Sequence, residues 1–390
     1  MLSVIRRARK SLGQMLAGLG AVVLSACVPA TGPGTPPPDG GSVQVALLIP
    51  SGSGQSQDEL FGSNLENAAR LAMADLSGVD VDLRVYRTGG SPAQAAALAK
   101  QAVDEGAQVI LGPFYSEEAN AAGVAVAGSG VNVLAFSNNA AIAGGNVFVL
   151  GQTFDVTARR LADYAVRNGK SNVLIVHDRN VAGEVGKAAI ERGVAAAGGK
   201  VVGVASYEFS QNGIVQAAPG IVSAARSSGA TALFLTADTA GALPLLSQML
   251  VDNGIDRATT QFIGLTRWDI PPATLSLPGV QGGWFAMPDP GLTAQFRDRY
   301  QSAYGSQPVP VAALAYDGIA AIGALAGRVK GGAPISKADL TQPAGFAGVA
   351  GIFRFLPNGT NQRGLAVAQI RGNQVVVVDA APRSFAGAGF

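Results

Sequence analysis

The amino-acid sequence predicts an α/β fold of two lobes, each a doubly wound parallel sheet, and three observations point to it. Continuous apolar strand runs alternate with one-sided helices over most of the 390 residues. Five strand units are followed by five more, a duplication of architecture without detectable duplication of sequence. The composition, 48% hydrophobic and 14% charged with 52 glycines, argues against disorder and suits many tight strand–helix turns. A chain of this length buries a large core and divides into two domains or lobes.

The rhythm starts only after residue 42. Arg6-Arg7-Ala8-Arg9-Lys10 is a charged region, followed by an uncharged apolar stretch over 12–26. That stretch falls short of the roughly 20 apolar residues a membrane span needs. It runs into Leu24-Ser25-Ala26-Cys27, a bacterial lipobox pattern in which the cysteine takes the lipid and becomes the mature N-terminus. Residues 1–26 are therefore expected to be a lipoprotein signal peptide. Cys27 is the only cysteine, so no disulfide can form within the chain. The lipidated cysteine and a tether fill 27–42. Residues 28–41 read VPATGPGTPPPDGG, an extended proline–glycine segment able to lift the body about 40 Å from a membrane.

The first strand is Val43–Ile49, apolar but for Gln44, as a strand buried on both faces should be. Leu65, Ala69, Ala72 and Leu76 then form one helical stripe, and Val81, Leu83 and Val85 alternate in a strand. Ser91-Pro92-Ala93-Gln94 supplies an N-cap serine, a proline at the first helical position and a capping-box glutamine. A strand over 108–111, a helix over 117–128 and strands over 131–136 and 147–150 complete the first set. The second set has strands at 172–176, 200–207, 231–236, 261–265 and 282–286. Its helices lie near 155–167, 184–197, 215–227 and 240–252. The tail departs from the rhythm, with helices near 292–304 and 311–328 and no strand between them. Strands at 351–355, 365–370 and 375–379 follow, with turns at Asn358-Gly359 and Gly372-Asn373. An antiparallel finish to a parallel sheet is expected.

The whole sequence has a formal charge of +2, and the leader holds four bases and no acid. The remainder is faintly acidic without basic runs, which leaves no electrostatic footprint for nucleic acid. Enzyme chemistry finds no support either. His177 is the only histidine, so neither a histidine-rich metal site nor a Cys–His dyad is available, and no cofactor is implied. There is no GxSxG elbow, Walker loop or GxGxxG after a strand. Glu117-Glu118 at a helix start is accounted for by the helix dipole.

Four landmarks carry a family resemblance. They are Ala46 to Gly54 with Gly62 beyond; Val109 to Ser116 through Gly112-Pro113; 173–176 with Asp178 and Gly183; and Phe346 to Phe355 with Asn358-Gly359. Together they resemble the type I periplasmic-binding-protein superfamily, in its leucine/branched-chain-amino-acid-binding-like group. The resemblance implies a two-lobed fold joined by three crossovers with a cleft between the lobes. Lobe 1 would hold 43–150 plus 287–345 and lobe 2 would hold 151–286 plus 346–390. A ligand would sit at strand C-termini and helix N-termini between them.

The resemblance implies Ser51, Ser116, Ser137, Asn138, Asp238 and Arg267 as cleft residues. Ser116 would donate to a ligand carboxylate or cap its helix. Ser137 and Asn138 match a second contact point loosely, or form a turn. Asp238 would meet an ammonium or cap the following helix. Departures from the family pattern are marked. Ala182-Gly183 stands where amino-acid binders carry an aromatic ring. Thr266-Arg267-Trp268-Asp269 stands where they carry the acid that holds the amino group, and Arg267 would repel an ammonium. Trp268 would be a stacking platform or core.

Two non-catalytic functions follow from the resemblance. One is a receptor handing a small polar ligand, amino-acid-like in class, to the permease of an ABC transporter. The other is a regulator similar to the penicillin-binding-protein activators, touching a cell-wall synthase to control peptidoglycan synthesis. In either case the protein is exported and lipid-anchored at the periplasmic face of the envelope. Val28 after the cysteine, in place of aspartate, favours the outer membrane where there are two.

Overall fold

A computed structural model describes residues 42–329 and 332–386. The signal peptide, Cys27 and the tether as far as residue 41 lie outside the described residues. The first half runs β1 (Val43–Ile49), α1 (Ser56–Asp75), β2 (Val81–Arg87), α2 (Pro92–Asp104), β3 (Val109–Leu111), α3 (Ser116–Val126), β4 (Asn132–Ala135) and β5 (Val147–Val149). Its strands form one sheet in the order β2-β1-β3-β4-β5, all parallel. β1 is an inner strand, pairing Leu47 with Val85 on one side and with Leu111 on the other. That position explains its apolar run from Val45 to Ile49.

The helices cover both faces. α1 buries Leu65, Ala68, Ala69 and Ala72 against one. α2 buries Ala95, Ala99 and Ala102 against the other, small residues that let it lie close to α3. Ser91 caps α2, its side chain accepting from the Gln94 N–H. The reciprocal half of the capping box is absent, because Gln94 Nε2 donates to Arg87 O instead.

The second half runs α4 (Phe154–Arg167), β6 (Asn172–Asp178), α5 (Val181–Ala196), β7 (Lys200–Tyr207), α6 (Gln211–Ser227), β8 (Ala232–Leu235), α7 (Leu243–Asp252), β9 (Gln261–Gly264) and β10 (Trp284–Met287). Then come α8 (Pro290–Tyr304), α9 (Ala312–Ala326), a short α10 (Lys337–Leu340), β11 (Phe346–Gly348), β12 (Gly351–Phe355), β13 (Asn361–Arg363), β14 (Ala366–Arg371) and β15 (Gln374–Asp379). The second sheet has the order β15-β14-β10-β9-β8-β6-β7. β6 to β10 are parallel, and β14 and β15 extend them antiparallel. The antiparallel finish thus lies where the sequence put it.

β11, β12 and β13 form a separate three-stranded antiparallel sheet. The sequence offers no strand for β11 or β13, each three residues long. Phe346, Phe353 and Phe355 enter the same core as β1, α1, α8 and α9. Residues 346–363, assigned by sequence to lobe 2, therefore pack with the first sheet. The aromatic side chains decide it, because they alternate inward from β12 onto Phe148 and Phe346.

The chain passes between the two halves after β5, after β10 and after β13. The three passages are tied together. Asn361 Nδ2 donates to Val149 O and Gly151 O, both at 2.8 Å. Asp289 N donates to Ala350 O at 3.1 Å, and Val149 N to Gly359 O at 2.8 Å.

Candidate ligand-binding cleft

Strands of both sheets end facing a common space, where the loops after β3, β4 and β9 meet the three passages. A cavity of about 700 Å³ lies there, within the size range of small-molecule sites. The first sheet contributes Phe114, Tyr115, Ser116, Phe136, Ser137, Asn138 and Asn139. The second contributes Arg267, Asp269, Ile270 and Pro272, and the passages contribute Gly151, Gln152, Pro288, Arg363 and Leu365. Thr293, Phe296 and Arg297 of α8 and the α8–α9 connection, Pro308 to Val311, close one side. More than half of the lining is aromatic, aliphatic or proline, and ten polar or charged side chains complete it.

Four of the six residues singled out in the sequence come together here, namely Ser116, Ser137, Asn138 and Arg267. Ser116 opens α3, but Tyr115 occupies the N-cap position. The Ser116 hydroxyl is thus not spent on capping. Ser137 is buried and its Oγ accepts from Asn139 N at 3.1 Å, which is the turn role weighed for it. Asn138 is exposed to the cavity.

Arg267 is not a lone cation. Its Nε lies 2.8 Å from Asp269 Oδ1, and a second guanidinium nitrogen meets Asp269 Oδ2. Such a two-point pair is locally neutral. The repulsion of an ammonium expected from the sequence is therefore largely cancelled, since Asp269 stands two residues further along the same loop.

Ser51 and Asp238 lie outside the cavity. Ser51 is buried beneath α1, where a Cβ on Gly62 would stand 2.0 Å from its Oγ. Asp238 is exposed, and its Oδ1 accepts from Gly241 N at 2.6 Å; it caps the turn ahead of α7. Trp268 is fully buried in the core of the second sheet, so it is core and no stacking platform. Ala182 is exposed near the start of α5, outside the cavity lining. His177 is buried at the end of β6 with Nδ1 3.1 Å from Asp178 O.

Sequence reasoning passed over Arg297, Arg363, Phe296 and the Pro308–Pro310 loop. Only the two prolines marked that loop as special; its place in the cleft depends on α8 returning to the first sheet. The charges differ in their partners. Arg363 pairs with Asp317 at 2.9 Å and Arg267 with Asp269. Arg297 is exposed, and its Nε lies 3.1 Å from the amide oxygen Gln307 Oε1. Among the described residues it is the cavity's cation without a carboxylate partner.

Among solved structures, a putative branched-chain amino acid ABC transporter protein from Rhodospirillum rubrum is similar at 20% identity. The match covers 86% of this chain and 100% of that one, with a TM-score of 0.72. A leucine binding protein from Thermotoga maritima is 20% identical over 87% of this chain and 98% of its own, TM-score 0.57. A solute binding protein of an ABC transporter from R. palustris, solved in complex with benzoate, is 19% identical over 90% and 99%, TM-score 0.57. A comparison with curated proteins gives no match. These likenesses establish the two-lobed type I fold. The family profile described as periplasmic binding protein matches residues 42–374, and with nearly the whole described body inside that match, the chain belongs to the periplasmic binding protein family, whose members bind rather than transform their ligands.

Proposed function

We propose that the protein is a solute receptor of an ABC importer, taking a small organic molecule with an apolar body and an acidic group. The observation that carries this reading is the cavity of about 700 Å³, walled for the larger part by apolar side chains and facing one arginine, Arg297, that has no carboxylate partner among the described residues. Apolar walls supply most of the binding energy, and the few polar groups set orientation. Arg297 suits a carboxylate, while Ser116 and Asn138 offer further hydrogen bonds. The related R. palustris protein was solved with benzoate, a ligand of this class. A cavity of this kind serves a receptor; a regulator of a cell-wall synthase, acting through protein contact, has no need of one.

In this reading lobe 1 comprises 43–150 with 287–363, and lobe 2 comprises 151–286 with the remainder. The lobes close over the ligand about the three passages. The protein is held at the periplasmic face of the membrane through lipid on Cys27. Titration calorimetry with 3-phenylpropionate, 4-methylvalerate and benzoate tests the ligand class. Binding of any of them, weakened about tenfold in Arg297→Gln, is the expected result. Absence of binding by all three refutes it.

A further inference from the structure

A second cavity, of about 440 Å³, opens beside the first at the C-terminal edge of the first sheet. It lies between the starts of α1 and α3 and the loop after β2, and it shares Tyr115 and Ser116 with the main cavity. Building on the receptor reading, we propose that this annex binds an organic ammonium group, the amino end of a ligand whose body lies in the main cavity.

Three carboxylates line the annex, those of Asp58, Glu117 and Glu118, and among the described residues no lysine, arginine or histidine does. Acids in the first turn of a helix offset the dipole, which suffices for exposed Glu117. Glu118 is another matter. It is 0% exposed; one oxygen, Oε2, lies 3.4 Å from Tyr115 N, and the other, Oε1, has no partner in hydrogen-bond geometry among the described residues. A buried carboxylate oxygen without a partner is costly, and few such atoms occur in native proteins. Burial pushes the Glu118 carboxyl above its usual pKa, outweighing the Thr88 hydroxyl and the Tyr115 N–H that favour its charged form, and the charge of Asp58 adds to the push. Asp58 is itself buried, with Oδ1 receiving the Tyr115 hydroxyl at 2.5 Å. The cost would be offset by a cation that brings several donors. An ammonium brings three. A metal ion is disfavoured, because the three carboxylates are not grouped closely enough to hold one, nor is any other set of three or more histidine, cysteine or acidic side chains among the described residues.

The geometry also explains how one molecule can use both cavities. Tyr115 forms part of the wall between them, fixed from the annex side by Asp58 and from the other by its edge-on contact with Phe114, ring centroids 5.0 Å apart. Ser116, which does not occupy the N-cap position, lines both.

The test is a thermal-shift and calorimetric comparison on the full mature chain. The probes are three amines (2-phenylethylamine, isoamylamine and cadaverine), 3-phenylpropionate and calcium chloride. At least one amine is expected to bind, and Glu118→Gln should weaken it about tenfold, more than it weakens 3-phenylpropionate. Glutamine keeps the shape and the acceptor for the Tyr115 N–H; should that variant fail to fold, Asp58→Asn carries the same comparison. The inference is overturned if no amine binds, if amine binding ignores both substitutions, or if calcium alone stabilises the protein through Glu118. Continued binding of 3-phenylpropionate in those cases leaves the receptor reading intact. Failure of every acid and every amine removes both.

Discussion

Arg363 of β13 donates to Asp317 of α9 at 2.9 Å, and the same guanidinium donates twice to Leu150 O, at 3.0 and 2.7 Å. Both side chains are buried, Asp317 completely. Asp317 also accepts from Val349 N at 2.9 Å. One ion pair thus joins α9, the β11–β12 turn, the passage after β5 and the passage after β13. Removing one partner would leave the other charge buried and alone. Asp317→Ala is therefore expected to lose about 3–5 kcal/mol, read from urea unfolding. A loss under about 1 kcal/mol would show that the pair does not hold the passages together.

The same knot can be disturbed without touching a charge. A Cβ on Gly348 would stand 2.2 Å from Asp317 Oδ1, so Gly348→Ala must displace the carboxylate from Arg363. Overpacking of this kind costs about 1–3 kcal/mol. In a double-mutant cycle with Asp317→Asn the two losses should fall short of additive, since they act on one contact.

Acid stability should depend on Asp379 at the end of β15. Burial pushes its carboxyl up, but hydrogen bonds and charge from Arg167 and Arg160 outweigh that and hold it below the usual 3.8. Arg160 NH1 lies 3.0 Å and Arg167 NH2 2.8 Å from Oδ2. A depressed carboxylate binds fewer protons folded than unfolded near its normal pKa. Its contribution is thus complete above that value and is lost as pH falls through the lower folded one. Stability measured from pH 5 to pH 2 should fall less steeply in Asp379→Asn than in the wild type. Identical slopes would show that the pairs contribute nothing.

Much of the fold was legible because parallel strands buried on both faces announce themselves as apolar runs, as β1 does. The antiparallel hairpin of β14 and β15 was legible from its Gly372-Asn373 turn. β11 and β13 were not, because three residues carry no period and their placement depends on aromatic contacts far away in sequence. In the cleft, Ser116, Ser137, Asn138 and Arg267 were legible through the family resemblance, which places ligand contacts in the loops after strands. Arg297 and Arg363 reach it only through the return of the chain after β10 and β13. The neutralisation of Arg267 needed only a look two residues ahead, but a side-chain pair across a loop is a matter of geometry. Asp238 shows the converse: a polar residue after a strand serves the turn itself.

That role for Asp238 gives a clean separation. Asp238→Ala should cost about 1 kcal/mol through the lost cap and leave the affinity for 3-phenylpropionate unchanged. A weakened affinity at intact stability would place Asp238 at the ligand instead.

The Arg267–Asp269 pair offers the sharpest test of the cleft's electrostatics. Both side chains line the cavity, and each cancels the other. Arg267→Gln exposes an uncompensated Asp269, so the second sheet's side of the cleft becomes negative. Asp269→Asn releases Arg267 to meet a ligand carboxylate. Two unit charges separated by about 6 Å interact by a few kcal/mol at an effective dielectric of about 20, less once solvent screens them. Affinity for 3-phenylpropionate should therefore fall severalfold in Arg267→Gln and rise in Asp269→Asn, with the reverse order for 2-phenylethylamine. Salt should compress all four differences. If both substitutions move the acid and the amine in the same direction, the pair supports the loop after β9 structurally, and the ligand does not come near it.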